Sequence, residues 1–335
     1  MIIPESATHS VIDSTKIKSY QGCPRRFFFE YVLGWRLERP DHNLHFGSAV
    51  HLALEHMYDK WKARGKPGFE ARDIVEGWAI FEEDYRKKFD AESDERFSPK
   101  EPYNTMRLLT QYAEAYKNDH FDVIHTEISG SVPIGATTDG RQKEIYFRLD
   151  TVCKDERGHF ILEHKTSSWD TNRWAMSFKG FSAQVGTGCH VLYCLFDNVY
   201  GLVLNGLFFR KPPRTRKDGE PYASDSQSNE FLRKPMRLRA QGMEDWLAEM
   251  NQWYDDILAD MDKLAATKET DDVMACFKRN PNHCLAYNRP CEYMDWCEMW
   301  HNPARESKRG VPVDFHVEFW DPRNNDKAYT DKVKL

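Results

Sequence analysis

Between residues 145 and 165 the chain reads Ile145-Tyr146-Phe147-Arg148-Leu149-Asp150-Thr151-Val152-Cys153, a polar turn from Lys154 to Gly158, and His159-Phe160-Ile161-Leu162-Glu163-His164-Lys165. Two apolar, β-branched runs separated by a short polar turn predict a β-hairpin. Side chains on a strand alternate faces, so Glu163 and Lys165 project to one side and His164 to the other. Asp150 and Glu163 then offer two carboxylates from neighbouring strands, with a lysine two residues beyond the second. Carboxylate oxygens hold hard divalent cations. A lysine beside such an ion can position a water or neutralise a phosphate, while the ion lowers the water's pKa.

The surrounding pattern predicts a mixed α/β chain. Asp122 to Val132 reads as a strand before the hairpin, Ser182 to Leu195 as a helix after it, and Gly201 to Phe209 as a further buried strand. Phe46 to Tyr58 is apolar at helical spacing, with His51 and Glu55 four residues apart on one face. His51 is either a core histidine or a third ligand facing Asp150 and Glu163, and Gly47 would let its helix approach the sheet closely. Amphipathic helices are expected over about 70–120 and again from Met243 to Leu264. The expected organisation is an N-terminal helical part (1–120), a core (121–215), a helical, cysteine-bearing region (216–300) and a tail (301–335), all integrated as one domain.

The formal charge of −6 gives no global basic signature, so nucleic-acid contact would rest on local patches. Arg210 to Lys217 is the best of these, either a phosphate-binding loop or a solvated turn. Trp169 and Trp174 follow the Lys165 strand closely, and either stack on bases or pack under a loop. Val191 to Phe209 is long and mostly apolar, but Asp197, Asn198, Asn205 and Gly201 interrupt it. It reads as a helix end and a strand, not a membrane span. The first residues lack a basic n-region and a long apolar h-region, so a soluble, cytoplasmic protein is expected.

Eight cysteines occur, at 23, 153, 189, 194, 276, 284, 291 and 297. Cys153, Cys189 and Cys194 sit in apolar patterns, as small buried hydrophobes do. Cys284, Cys291 and Cys297 crowd into fourteen residues, which points to a zinc ion or an iron–sulfur cluster. A fourth thiolate would come from Cys23 or Cys276. The lack of a tight C-x2–4-C knuckle favours iron–sulfur.

The order Cys23-Pro24-Arg25, Gly47…His51, Asp150, Glu163-x-Lys165, Gln184 and a terminal cysteine triplet resembles RecB-type nucleases of the PD-(D/E)XK superfamily. It is most similar to their iron–sulfur branch, with AddB-type and CRISPR-associated exonucleases and phage relatives. The resemblance spans about residues 14–300. It implies a restriction-endonuclease-like fold, with a mixed central sheet flanked by helices, an N-terminal helical part and a C-terminal iron–sulfur region.

It also implies that His51, Asp150, Glu163 and the backbone carbonyl of His164 bind Mg²⁺ or Mn²⁺. Lys165 would be the catalytic lysine and Gln184 a supporting residue. Cys23, Cys284, Cys291 and Cys297 would ligate a [4Fe–4S] cluster, with Zn²⁺ as the alternative. Relatives often carry a tyrosine four residues after the glutamine, where this chain has Gly188, with Tyr193 further on. The implied activity is a DNA nuclease, an exonuclease on single strands or ends, with DNA and a helicase or recombination protein as partners. The alternatives are a DNA-end-binding scaffold subunit and a zinc-stapled RNA-processing nuclease.

Overall fold

The computed structural model describes residues 3, 6–211, 228–286, 289–323 and the backbone of 332–334. The N-terminal part contains α1 (Ser14–Gly22), α2 (Pro24–Phe27), the short strand β1 (Trp35–Leu37), α3 (His42–Arg64), α4 (Ala71–Arg86), α5 (Asp94–Phe97) and α6 (Pro102–Ala115). Next come β2 (Asp122–Ala136), β3 (Gln142–Asp155), β4 (Gly158–Ser167), α7 (Thr171–Ser177), α8 (Ala183–Leu195), β5 (Val199–Phe208) and β6 (Glu230–Met236). The chain ends with α9 (Ala240–Ala266), α10 (Met294–Met299), α11 (Pro303–Glu306), β7 (Phe315–Val317) and β8 (Lys332–Lys334).

The main sheet has the order β6-β5-β4-β3-β2-β8. The β2–β3, β3–β4 and β5–β6 pairs are antiparallel, whereas β4 and β5 run parallel, with α7 and α8 in the connection between them. A parallel neighbour needs such a crossover, because a tight turn can join only antiparallel strands. The predicted Val191–Phe209 stretch resolves into the end of α8 and β5. Among the described residues, no helix is long and apolar enough to cross a membrane. This is a mixed sheet flanked by helices, consistent with a restriction-endonuclease-like fold.

Each face of the sheet carries a core. On one side Ile161, Leu202 and Leu204 pack with α1, α8 and α9; on the other Phe160, Leu162 and Val203 pack with α3, α4 and α6. The helices are placed by their stripes. In α3, Phe46, Ala49, Val50, Ala53, Leu54, Met57, Tyr58 and Trp61 are buried at three- and four-residue spacing. Asp41 caps this helix by accepting from the Asn43 and Leu44 amides, and Gly65 ends it at φ 62°.

The expected role of Gly47 does not hold. A Cβ there would meet Thr166 Oγ1 at 3.5 Å, an ordinary contact, so α3 needs no glycine to reach the sheet. Gly186 on α8 is the restrictive position, since a Cβ would lie 2.0 Å from Nε1 of the buried Trp246 on α9. Gly186→Ala is expected to destabilise the fold by about 1–3 kcal/mol through overpacking. Urea denaturation measures this, and an unchanged midpoint would contradict the packing described.

Candidate metal centre and cysteine cavity

The β3–β4 ladder runs from Asp155↔Gly158 to Thr151↔Leu162 and stops there. Asp150 and Glu163 would form the next pair, so the two carboxylates stand where the strands part. Asp150 replaces the missing ladder contact with its side chain, as Oδ2 accepts from the His164 amide at 2.7 Å. On β3, Ile145, Phe147 and Leu149 enter the first core at period two, but the next residue in that core is Val152. The alternation therefore slips by one around Asp150, a local break that strict strand periodicity does not foresee.

Side chains from α3, β2, β3, β4 and α8 surround this opening. From α3, His51 Nδ1 lies 3.2 Å from Asp150 Oδ1. From β4, Lys165 Nζ donates to Glu163 Oε1 at 2.8 Å, and from α8, Gln184 Nε2 donates to the same oxygen at 2.6 Å. Both donors converge on Oε1, which leaves Oε2 as the oxygen able to take a cation.

The tightest ligand group differs from the expected one. His51, Asp150 and Glu127 place ligand atoms within 4.8 Å of one another, and Glu163 stands outside that group, held by Lys165 and Gln184. Glu127 lies on β2 between Thr126↔Thr151 and Ile128↔Leu149, hence beside Asp150. It is buried, its Oε2 is 3.4 Å from Arg148 Nε, and its backbone is left-handed at φ 51°. A non-glycine residue pays about 1–3 kcal/mol for such a conformation, which persists only where its surroundings impose it. The sequence signal for Glu127 was weak: a carboxylate inside a strand, assignable only by counting pairing register across two irregularities.

Electrostatics favour a cation here. Burial would raise Asp150, but the His51 charge and hydrogen bond outweigh it and hold the carboxyl well below its ordinary range. His51 is correspondingly raised: burial would lower it, and the Asp150 charge prevails. Glu163 moves the other way, pushed up by burial and then by Asp150. Burial alone would lower Lys165, but Glu163 and Asp150 hold it above its usual value. Three buried or half-buried carboxylates stand against one lysine, one imidazole and the Arg148 guanidinium, and their oxygens form a donor set that fits a hard divalent ion.

Behind the opening, on the opposite face, a buried polar row crosses three strands. His164, Asn205 and Arg233 are successive register partners on β4, β5 and β6. Asn205 Nδ2 donates to His164 Nδ1 at 2.8 Å and to the Tyr112 hydroxyl at 2.9 Å, while Arg233 Nε donates to Asn205 Oδ1 at 3.3 Å. Tyr58, two turns beyond His51 on α3, stacks on the His164 ring at 5.5 Å. Burial pushes His164 down to about 3, so its imidazole is neutral. The row locks the residue between Glu163 and Lys165 and ties it to the His51 helix. No sequence pattern announced it.

The cysteines gather elsewhere. Cys23, Cys284, Cys291 and Cys297 line one cavity of about 40 Å³, with Arg25, Arg26, Phe29 and Tyr293. Cys276 is buried but lies outside it, while Cys153 and Cys189 are core residues and Cys194 is half-buried. Cys23 occupies the break between α1 and α2, and the Cys291 amide donates to the Cys284 carbonyl at 2.8 Å. Around the cavity the chain ends clasp directly. Arg25 N–H donates to the Lys278 carbonyl, Arg25 Nε to the Phe277 carbonyl, and Asn280 Nδ2 to the Gly22 carbonyl. Arg25 Nη1 is buried with no hydrogen-bond partner, so an anionic or sulfur-rich group beside it would satisfy an otherwise orphaned donor.

Trp174 is 4 % exposed and packs on Phe208, which removes it as a stacking surface, whereas Trp169 is 41 % exposed. Of the basic stretch, Arg210 is engaged with Glu230 and the carbonyls of Ser168 and Trp169, Lys211 is exposed, and 212–217 lie outside the described residues. Tyr193 donates its hydroxyl to the Leu238 carbonyl.

Glu127→Gln keeps the side-chain shape and removes its charge. Calorimetric Mn²⁺ titration of this variant should show affinity reduced about 10-fold or more. Unchanged affinity would remove Glu127 from the ligand set.

Comparison with known proteins places the chain in a superfamily. No curated protein matches the chain significantly. Solved structures do match; one described as "Crystal structure of SSO0001" aligns with 63% of this chain and 72% of its own, at 13% identity and a TM-score of 0.26. The sequence profile of the PD-(D/E)XK nuclease superfamily, in contrast, matches residues 14–298, most of the chain. The chain belongs to the PD-(D/E)XK nuclease superfamily.

Proposed function

We propose that the protein is a Mg²⁺- or Mn²⁺-dependent deoxyribonuclease that degrades single strands or DNA ends as an exonuclease. It would serve recombination, repair or phage DNA metabolism beside a helicase or recombination protein, in the cytoplasm. The observation that carries this is the convergence of His51, Glu127 and Asp150 beside the Glu163–Lys165–Gln184 contacts at the parted β3–β4 ladder. An intact Glu163–Lys165 pair argues against a purely scaffolding subunit.

The residues divide the chemistry between them. Asp150, Glu163, Glu127, His51 and the His164 carbonyl are the groups that would hold the cation. A bound divalent ion lowers the pKa of a water and offsets charge on the phosphate. Lys165, charged and fixed against Glu163, orients the attacking water and faces the growing negative charge. Gln184 holds Glu163 in one rotamer, so its free oxygen stays directed into the site. The His164 row keeps the β4 backbone in place during displacement at phosphorus.

The second group in the reading is a [4Fe–4S] cluster on Cys23, Cys284, Cys291 and Cys297. Four thiols lining one cavity at the junction of the chain ends, with an orphaned guanidinium donor, are a donor set that fits it. The cluster would reinforce a clasp that the Arg25 and Asn280 contacts already make, joining the N-terminal and C-terminal parts to the core as one integrated domain.

Two experiments test the proposal. Labelled linear and end-blocked DNA should be degraded with Mg²⁺ or Mn²⁺ by the wild type, the linear form preferentially. Lys165→Ala and Asp150→Ala should lose at least about 100-fold in rate, the scale of a lost electrostatic or acid–base contribution. Equal activity in all three proteins would overturn the site assignment. Anaerobically purified protein should contain iron and acid-labile sulfide, lost in Cys284→Ser but not in Cys276→Ser. Stoichiometric zinc without iron would exclude the cluster.

A further inference from the structure

The segment from Trp169 to Phe181 leaves the site and returns to it. It starts four residues after Lys165 and ends three residues before Gln184. A chain spans at most about 3.6 Å per residue, so Trp169 lies within about 14 Å of Lys165 and Phe181 within about 11 Å of Gln184. The segment carries three large apolar side chains with substantial exposure: Trp169 is 41 % exposed, Met176 67 % and Phe181 65 %.

Its backbone is firmly anchored. Trp174 is buried against Phe208 and Phe178 with ring distances of 5.1 and 4.8 Å. Asp170 caps α7 by accepting from the Asn172 and Arg173 amides, and Lys234 Nζ donates to the carbonyls of Ala175 and Phe178 at its other end. Arg210 holds the carbonyls of Ser168 and Trp169. A segment fixed at both ends that still presents aromatic and thioether groups to water is held in a binding-ready form.

Charge identifies the occupant. Arg173 and Lys179 are exposed and make no ion pair among the described residues, and Arg173 lies over the Trp169 ring at 5.0 Å. A protein partner would need apolar surface to cover the patch. A polyanion with flat apolar faces satisfies the rings and the cations together. Single-stranded nucleic acid is that ligand, because its base faces are free to stack, whereas those inside a duplex are already stacked.

We infer that Trp169, Met176 and Phe181, with Arg173 and Lys179, form a base-stacking platform that receives a single strand beside the metal centre. The inference rests on the nuclease reading for its substrate and adds the surface that selects single strands. The platform explains how a strand with its phosphate at Lys165 would be steadied by its neighbouring bases.

Equilibrium binding tests it, using the full chain in EDTA so that no cleavage occurs. The probes are fluorescein-labelled oligo(dT) and a blunt hairpin duplex with the same number of phosphates. The wild type should bind oligo(dT) more tightly. Trp169→Ala and Phe181→Ala should each weaken that binding about 10-fold, with duplex binding changed less than about twofold. Arg173→Ala with Lys179→Ala should lower the salt dependence of oligo(dT) binding by one to two charges, a slope change of about 0.7 per contact. All these side chains are exposed, so unchanged melting temperatures should accompany the loss.

Wild-type oligo(dT) affinity in the Trp169→Ala/Phe181→Ala double variant would overturn the inference. So would equal loss on both probes, or self-association of the wild type that the double variant abolishes while its oligo(dT) binding persists. Selective loss of oligo(dT) binding would sustain the platform even if Lys165→Ala cleaved DNA like the wild type, a result that defeats the catalytic reading alone.

Discussion

The site depends on where the β3–β4 ladder ends. One residue beyond Thr151↔Leu162 the strands part, and the Asp150 side chain accepts the His164 amide that β3 would otherwise have met. That substitution satisfies a buried donor without a backbone partner. It also fixes Asp150 beside His51 and Glu127, and keeps Glu163 close enough to feel its charge. A continued ladder would bring the two strands together and close the space a cation needs.

Holding such an opening requires support from behind, and the His164–Asn205–Arg233 row supplies it. Each member is another's register partner, so its hydrogen bonds fix the relative heights of β4, β5 and β6. Tyr58 extends the same row to α3 and therefore to His51. Buried hydrogen-bonded rows of this kind rigidify the elements they join and specify one arrangement of the backbone. Here the arrangement specified is the placement of the ligands. The cysteine cavity lies apart from this opening, at the clasp of α1 and α2 with the segment after Phe277.

Much of this was legible in the sequence. The hairpin, the face alternation of Glu163, His164 and Lys165, the α3 stripe and the α8 helix all follow from local periodicity, which a single strand or helix expresses in its own residues. Cys23 could be linked with the distant triplet only by analogy, since 261 positions separate it from Cys284 and local spacing is silent over such distances. Glu127 escaped because its neighbours in the sequence do not reveal its partner; its role depends on pairing register and on a left-handed backbone. Asn205 escaped for the same reason, as one polar residue in an apolar run that also looked like an interruption. Gly47 stands near His51 without a close packing contact, while the true close approach, Gly186 to Trp246, joins residues sixty positions apart on two helices, beyond the reach of local spacing.

The position of a bound cation decides the site assignment most directly. Crystals of the full chain grown with Mn²⁺, measured at a wavelength where manganese scatters anomalously, would locate it. The expected result is an anomalous peak within about 2.0–2.6 Å of oxygen or nitrogen atoms of Asp150 and His51, on the side facing Glu127 and Glu163. A peak elsewhere on the chain, with the space between Asp150 and His51 empty at saturating Mn²⁺, would contradict it.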